Sequence, residues 1–308
     1  MVARLPAGLP VCRCQRWRGG RGTYRPAGEP LPTHRYGVEP LDEGTARAFV
    51  TTHHYSRSYP AASVRAGLYR THRSGVPELV GVAVLGSPAG PKVLEKWLPG
   101  TKGLELQRLV LLDDVEANGE SWFVRRAFKV VRAERPDVEA VLSYSDPVQR
   151  VRFDGRAVMP GHVGQIYKAL NGRIEGRGKR RTLYLWRDAT VWSDASQEKL
   201  RKPEKKGHGY AYRQVLERGM APRRLRESWP DYVIRLRREG LEGRMLTRTR
   251  HPGNYVYTWG LSPRERKLRV RRQGPLLPYP RVCCGRVRTS PAIWLPEADQ
   301  LALPLRAA

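Results

Sequence analysis

Leu104-Glu-Leu-Gln-Arg-Leu-Val-Leu-Leu112 opens the stretch of sequence that decides the fold, and the stretch ends at Trp186. After a short polar turn, apolar side chains at helical spacing begin near Ser121. An apolar run then ends in the polar residues Ser-Tyr-Ser-Asp-Pro at positions 143–147, and the proline prevents its continuation as a strand. The order of strand, helix and strand predicts a mixed sheet with helices packed on it.

The segments on either side extend this core. A second helix is predicted within Gly161–Asn171, and a last strand at Arg181–Trp186 closes the unit. Upstream, residues 63–69 and 78–85 predict two strands of a hairpin, and a helix capped by Asp42 precedes them. The fold class is therefore α/β (α+β), a mixed sheet flanked by helices. A further strand near His251–Leu261 would return to the main sheet.

The composition is strongly basic. The chain of 308 residues has 57 Lys and Arg against 29 Asp and Glu, a net charge of +28. This excess indicates a polyanionic partner, most often nucleic acid. Hydrophobic residues make up 40% of the chain, enough for a buried core, and no run of them approaches the length of a transmembrane helix. We expect no membrane contact and a cytoplasmic location.

Three regions differ in composition. Residues 1–35 are rich in Pro, Gly and Arg and predict a disordered basic arm. Residues 36–262 form the main domain, interrupted by a basic insertion at 188–248 whose aromatic residues suit either base stacking or a small helical core. Residues 263–308 form a basic, Pro-rich tail. The four cysteines (Cys12, Cys14, Cys283 and Cys284) lack zinc-knuckle spacing and are expected to be free thiols.

Polar side chains cluster at two places that suit a catalytic site. His53–Tyr59 is a run of polar and ring-bearing residues that fits a loop projecting into a cleft. Asp146 follows the carboxyl end of a buried strand, where ligands sit in open sheets, although it could equally serve as a turn cap. Regular alternation places Glu105 and Arg108 on opposite faces of their strand.

Two further features suit anionic ligands. The helix that starts at Ser121 and Trp122 offers free backbone N–H groups to a phosphate, with Arg108 and Arg125 as auxiliaries. A glycine-containing basic turn and a charge run suit contact with DNA phosphates. The predicted DNA-binding residues are Arg177, Lys179, Arg180, Arg181, Lys205 and Lys206.

Several short motifs in order resemble the phage Mom DNA-modification family. They are His54-Tyr-Ser56, Glu105-Leu-Gln-Arg-Leu109, Glu120-Ser-Trp-Phe123, Ser143-Tyr-Ser-Asp-Pro147, and Gly161-His-Val-Gly164 with Ile166-Tyr167 and Asn171. The resemblance covers roughly residues 53–186, and the loop at 148–160 looks longer than in the family. It implies a GCN5-related N-acetyltransferase-like (GNAT) fold and conversion of the exocyclic amine of adenine in duplex DNA to a carbamoylmethyl (glycinamide-like) group. This modification would protect phage DNA from restriction in a bacterial host cell.

The resemblance also implies roles for individual residues. A flipped adenine would meet Asp146 as proton acceptor, Tyr55 and Tyr144 as stacking or relay groups, and His54 and Ser145 beside them. His54, Tyr55 and Asp146 could alternatively ligate iron, although we favour a metal-free site. The donor would be an acyl-CoA followed by amination, or a glycyl donor.

Two rival functions remain open at this stage. A GNAT-like acyltransferase acting on RNA, a protein or a small molecule would keep the fold but needs an acyl-CoA loop, for which residues 118–121 would have to stand in. A non-enzymatic nucleic-acid-binding protein would explain the charge but not the polar clusters. Analysis of DNA exposed to the protein in cells discriminates among these functions.

Overall fold

The computed structural model describes residues 13–18, 21–26, 31–72, 75–88, 90, 92–155, 157–159, 161–265, 267 and 279. Nearly all of the predicted Pro-rich tail, and Cys12, Cys283 and Cys284, lie outside these residues. The chain forms two compact units. The first comprises residues 1–149, 159–178 and 254–308, and the second comprises residues 150–158 and 179–253.

The strands and helices follow one another in a mixed order. They are β1 (Arg13–Arg18), β2 (Arg21–Pro26), β3 (Tyr36–Pro40), α1 (Glu43–His53), β4 (Val64–Thr71), β5 (Pro77–Gly86), α2 (Lys92–Trp97), β6 (Gly103–Leu111), α3 (Gly119–Glu134), β7 (Ala140–Ser145), β8 (Arg150–Val151), β9 (Ala157–Met159), α4 (Gln165–Ala169), β10 (Arg173–Arg177), β11 (Arg181–Trp186), β12 (Val191–Trp192), α5 (Asp194–Arg201), α6 (His208–Glu217), α7 (Trp229–Glu242), β13 (Leu246–His251) and β14 (Tyr255–Gly260).

A seven-stranded sheet forms the centre of the first unit, in the order β10-β14-β7-β6-β5-β4-β3. Five of the six pairings between neighbouring strands are antiparallel, and β6 and β7 are parallel to each other. That parallel pairing covers only Gly103–Glu105 opposite Ala140–Leu142. Beyond it, β6 and β7 no longer share ladder hydrogen bonds, so the sheet has an opening between their carboxyl-terminal halves. The predicted mixed sheet flanked by helices is confirmed.

Helices cover both faces of this sheet. α3 buries its predicted stripe of Phe123, Ala127 and Val131 against Leu104 and further strand residues in the largest apolar core. On the opposite face, a smaller core joins α1 to β5 and β6, and α2 packs near β7. The predicted cap of α1 is present, because Thr45 N–H donates a hydrogen bond of 2.9 Å to Asp42 Oδ1. Each of the two faces therefore has its own packed layer.

Two strands differ from the prediction in their sheet partners. β14 returns to the main sheet and pairs with β7, as the sequence predicts. Arg181–Trp186, predicted to close the main sheet, instead pairs with β12 and β13 in the second unit. The place beside β7 is taken by β14, and the apolar side chain of Trp186 is buried in the core of the second unit. Gly176 and Arg177, expected in a turn, belong to β10 and pair with β14.

The second unit has a hydrophobic core of its own. Its three-stranded sheet, β12-β11-β13, packs against α5, α6 and α7 around Trp192, Leu200, Tyr232 and Leu236. The unit begins earlier and ends later than the predicted insertion of residues 188–248. Trp192 and Tyr232 are fully buried, so these two aromatics are core residues and are not available for base stacking.

The amino-terminal region is not without secondary structure. β1 and β2 pair antiparallel as a hairpin inside the segment predicted to be a disordered arm. Among the helices of the described part of the chain, none combines the length and the apolar character needed to cross a membrane.

Candidate active site

A β-bulge in β6 determines which side chains of this strand lie together. Leu85 pairs with Leu106 and the adjacent Val84 pairs with Arg108, so Gln107 is an extra residue in β6. The bulge reverses the alternation of the strand, which places Glu105 and Arg108 on the same face. The prediction that these two residues point to opposite faces was therefore wrong.

The core contacts of β6 agree with this reversal. Before the bulge, Leu104 and Leu106 pack in the core under α3, and after it Leu109 and Leu111 pack against the same core. Val110 lies in the core under α1 on the other face. Glu105 lies between Leu104 and Leu106, and Arg108 lies next to Leu109, so neither side chain points toward the core under α3. Both therefore lie on the α1 side of the sheet.

Arg108 fixes the loop that follows α1 onto β6. Its Nε donates to Ser58 O at 3.0 Å, its Nη2 donates to Ser58 Oγ at 2.9 Å, and its Nη1 donates to Gln107 O at 2.7 Å. Burial lowers the pKa of Arg108, while Tyr55 and Glu105 act to raise it. The guanidinium is thus engaged in holding the 53–59 loop rather than presented to an anionic donor, the role predicted for it.

His54 is held in one orientation at the end of α1. Its Nδ1 accepts a hydrogen bond of 3.1 Å from Ser56 N–H and lies 2.8 Å from Ser56 Oγ, which assigns the ring proton to Nε2. The ring of Tyr55 lies 4.2 Å away, centroid to centroid. Burial, with the charges of Arg108 and His162, lowers the pKa of His54 to about 3. His54 is therefore a neutral imidazole at physiological pH.

Glu105 is a carboxyl group on this face whose pKa is strongly raised. Burial raises its pKa to about 7, and the charge of Arg108 only partly opposes that effect. A carboxylate with a pKa near neutrality can both accept and return a proton at cellular pH. Glu105 was not among the site residues predicted from the sequence.

Ser143 and Tyr167 line the opening from the other face. Ser143 Oγ lies 2.9 Å from Leu106 O and 2.9 Å from Tyr167 Oη, so a side chain bridges β7 to β6 where the ladder has ended. Burial raises the pKa of Tyr167 to about 12, and the charges of Tyr55 and Glu105 act in the same direction.

Asp146 and His162 complete this edge. Asp146 O accepts a hydrogen bond of 2.7 Å from His162 N–H, and Asp146 Oδ1 accepts one of 2.9 Å from Val148 N–H. Burial lowers the pKa of His162, and the charge of Asp146 opposes the shift. Asp146 therefore stabilises the turn after β7 and the position of His162.

The two other predicted residues of β7 lie on opposite faces. Glu105 is the register partner of Leu142, and Tyr144 lies two residues after Leu142, so Tyr144 is on the same face of the sheet as Glu105. Tyr144 packs against the small core that contains Leu142. Ser145 lies on the face of Ser143 and is fully buried. Its Oγ has no hydrogen-bond partner among the described residues, so it is a polar atom able to meet a ligand.

The predicted donor site at the start of α3 is largely occupied by internal contacts. Ser121 Oγ donates back to Asn118 O at 3.1 Å, and the Trp122 ring lies under the guanidinium of Arg126 at 3.4 Å. No side chain caps the helix, and the N–H of its first residue, Gly119, donates to Glu116 O at 3.2 Å. The first turn also carries the buried Glu120, whose negative charge competes with an anion there. Arg125 is exposed.

The predicted DNA-binding residues belong to both units. Arg177, in the first unit, packs its guanidinium over the Tyr255 ring at 4.7 Å. The other five belong to the second unit and are exposed: Lys179, Arg180, Arg181, Lys205 and Lys206. Arg177 is therefore partly a packing residue, and the exposed five remain predicted DNA contacts.

The predicted iron ligands His54, Tyr55 and Asp146 include a tyrosine. No three His, Cys, Asp or Glu side chains within the described ranges converge in a way that would hold a metal ion. The Tyr55 ring lies 4.2 Å from the His54 ring, centroid to centroid, with the two rings tilted by 32°. A metal site on these three residues stays a prediction.

Comparisons with known proteins place the chain among relatives. A family model described as the Mom protein family matches residues 35–239. "Methylcarbamoylase mom" of Escherichia phage Mu is 31% identical over 138 residues, which cover 44% of this chain and 51% of that protein. The matched region thus spans about half the length of this relative.

A solved structure is also similar in part. It is described as "Tandem GNAT protein from the clavulanic acid biosynthesis pathway (without AcCoA)" and is 10% identical, with a TM-score of 0.37, covering 74% of this chain and 99% of that chain. A TM-score this low supports no conclusion about function. The fold class rests on the sheet and helices described above.

Proposed function

This chain belongs to the Mom protein family, and on that premise we propose that it is a DNA-modifying enzyme. It converts the exocyclic amine of adenine in duplex DNA to a carbamoylmethyl group, a change that protects phage DNA from restriction enzymes. The relative from phage Mu carries the name methylcarbamoylase, which supports this reaction. The net charge of +28 suits a DNA substrate.

One observation carries the proposal. Residues from four of the Mom-like motifs meet at the opening between β6 and β7: His54, Glu105, Arg108, Ser143 and His162. The β6–β7 ladder ends after three residue pairs, and Ser143 Oγ donates to Leu106 O just beyond it; we take this opening as the place that receives the base. Adenine would be extruded from the duplex to reach this opening.

Proton removal is the chemical requirement that the site meets. The lone pair of the exocyclic amine is delocalised into the purine ring, so the nitrogen becomes nucleophilic only as its proton leaves. Glu105, whose pKa is about 7, accepts that proton as the new N–C bond forms and the bond from the carbon to the donor's leaving group breaks. Asp146 is the less suited acceptor, since one of its oxygens already accepts Val148 N–H.

The aromatic and hydroxyl groups position the base. Tyr55 offers a ring face for stacking, supported by the His54 ring behind it. Tyr167 and Ser145 supply hydroxyl groups at the opposite face. The donor is an acyl-CoA or a glycyl donor, with its anionic end at the start of α3 near Ser121 and Trp122.

The test is a chemical analysis of DNA. The protein is expressed with a plasmid, the DNA is digested to nucleosides, and mass spectrometry searches for a mass-shifted deoxyadenosine. Glu105→Gln should abolish the product, whereas the exposed Glu134→Gln in α3 serves as a matched control and should leave it unchanged. Unmodified DNA from cells that contain abundant folded wild-type protein would contradict the proposed function.

A further inference from the structure

An exposed leucine stands on a basic turn of the second unit, between α6 and α7. Leu225 is 93% exposed, more than any other large apolar side chain noted on the surface, and it lies between Arg224 and Arg226. Arg226 has a positive φ of 65°, a left-handed conformation that costs free energy in a residue other than glycine. We call residues 223–227 the arginine turn.

A buried ion-pair network holds the arginine turn from beneath. Arg235 of α7 donates from Nε to Glu227 Oε1 at 2.7 Å and from Nη2 to Glu227 Oε2 at 2.9 Å, with the two side chains 6% and 11% exposed. Glu227 Oε2 also accepts the Arg224 backbone N–H at 3.0 Å, and Arg235 Nη2 donates to Pro222 O at 2.9 Å. Both ends of the turn are thereby tied to one helix.

The first arginine of the turn is fixed as well. The Arg223 guanidinium lies over the Trp229 ring at 4.8 Å and donates to Glu227 O, and the Arg223 backbone N–H donates to Tyr212 Oη at 3.3 Å. Leu225 is thus an exposed apolar side chain at the tip of a turn whose backbone is held by several hydrogen bonds. The strain at Arg226 is maintained by these contacts and keeps the tip projecting.

We propose that the arginine turn inserts Leu225 between stacked base pairs of duplex DNA. Proteins that enter the minor groove use leucine and similar side chains as wedges that unstack a base step and bend the duplex. Arg224 and Arg226, on either side of the tip, contact the phosphates next to the step. The apolar area of one leucine side chain is far smaller than the area that a stable protein–protein interface buries. A wedge in DNA needs only one such side chain for each base step.

The inference rests on the DNA substrate of the proposed function and not on its chemistry. It adds a second contact with DNA, outside the candidate active site, and assigns the distortion of the duplex to one side chain. Because Leu225 is exposed, its replacement does not disturb the core of the second unit. The exposed Ile234 on α7, 62% exposed, provides a matched control for loss of surface apolar area.

The experiment measures binding and bending together, with the full chain and a duplex labelled at its two ends with a fluorescence energy-transfer pair. Wild type should bring the ends closer. Leu225→Ala should lose most of that change and bind roughly tenfold more weakly, as expected for removal of a buried leucine side chain. Ile234→Ala should behave as wild type in both measurements.

Three results would overturn the wedge. The first is Leu225→Ala that bends DNA as fully as wild type. The second is Ile234→Ala that loses as much bending as Leu225→Ala. The third is Leu225→Ala that changes the oligomeric mass of the protein while DNA bending stays intact, because this would indicate a contact with another protein chain. Modification of plasmid DNA by the wild-type protein, measured in parallel, separates the two proposals. Modified DNA without Leu225-dependent bending would remove only the wedge, and wild type that neither binds nor modifies DNA would remove both.

Discussion

Replacing Glu105 with glutamine should make the protein more stable while it removes activity. Burial raises the pKa of Glu105 from its ordinary value of 4.5 to about 7. The folded state therefore holds the proton more tightly than the unfolded chain, and folding stability falls as the pH rises through this window. Below pH 4.5 the carboxyl is protonated in both states, so the penalty is absent there. Above pH 7 the penalty is complete.

The size of the effect follows from the shift. Each pKa unit corresponds to about 1.4 kcal/mol, so ionised Glu105 costs at most about 3 kcal/mol of unfolding free energy. Glutamine has nearly the same shape and no charge. Glu105→Gln should therefore match wild type at pH 4.5 and exceed it by up to about 3 kcal/mol at pH 8.

Urea unfolding at several pH values measures this difference. The gap between the midpoints of Glu105→Gln and wild type should widen from pH 4.5 to pH 8 with unchanged denaturant slopes. The control Glu134→Gln should keep the wild-type dependence on pH. A constant gap, or a variant less stable than wild type at pH 8, would refute the buried environment assigned to Glu105 and its role as a base of near-neutral pKa.

Three other perturbations test the site and the second unit. Arg108→Lys keeps the charge but loses the paired hydrogen bonds to Ser58, and it should reduce DNA modification by about tenfold or more with a change in unfolding free energy of about 1 kcal/mol, because the 53–59 loop is released. The ring resonances of His54 should show no titration in NMR spectra between pH 5 and pH 8, because its pKa is about 3, and a midpoint near 6.5 would contradict its burial. Arg235→Met should destabilise the second unit by about 2–3 kcal/mol in urea unfolding, since the half-buried Glu227 would lose two charged hydrogen bonds, and adding Glu227→Gln should recover part of the loss.

Local patterns in the sequence predict much of the main sheet. The stripe of α3 and the Asp42 cap are each specified by residues within one element, and the structure confirms them. The buried strand predicted at residues 138–144 is also present, as β7. Which strand pairs with which is not specified by residues within a single strand. Arg181–Trp186 alternates like any half-buried strand, and nothing within it distinguishes the main sheet from that of the second unit.

The candidate site was predicted only in part, for the same reason. The bulge at Gln107 decides that Glu105 and Arg108 share a face. The two consecutive polar residues in Leu-Gln-Arg-Leu interrupt the alternation of the strand, and this signal was not used in the prediction. His162 and Tyr167 join the site through the hydrogen bonds of Asp146 O and Ser143 Oγ, which form only when the chain after β7 folds back. Their positions in the Mom-like motifs were the one signal available in the sequence.

The late return of β14 to the main sheet has a consequence for synthesis on the ribosome. β7 shares only its first three residues with β6, and its other neighbour, β14, follows the whole second unit in the chain. Until that unit has emerged, β7 is paired along only part of its length, and its unpaired backbone groups are a template for association with other chains. The second unit, with its separate core, can fold during this delay, and its folding brings residue 254 back toward the place where residue 178 left the first unit. Production of the protein should therefore depend on how quickly the second unit folds, and substitutions in that core should first appear as aggregation of the main sheet.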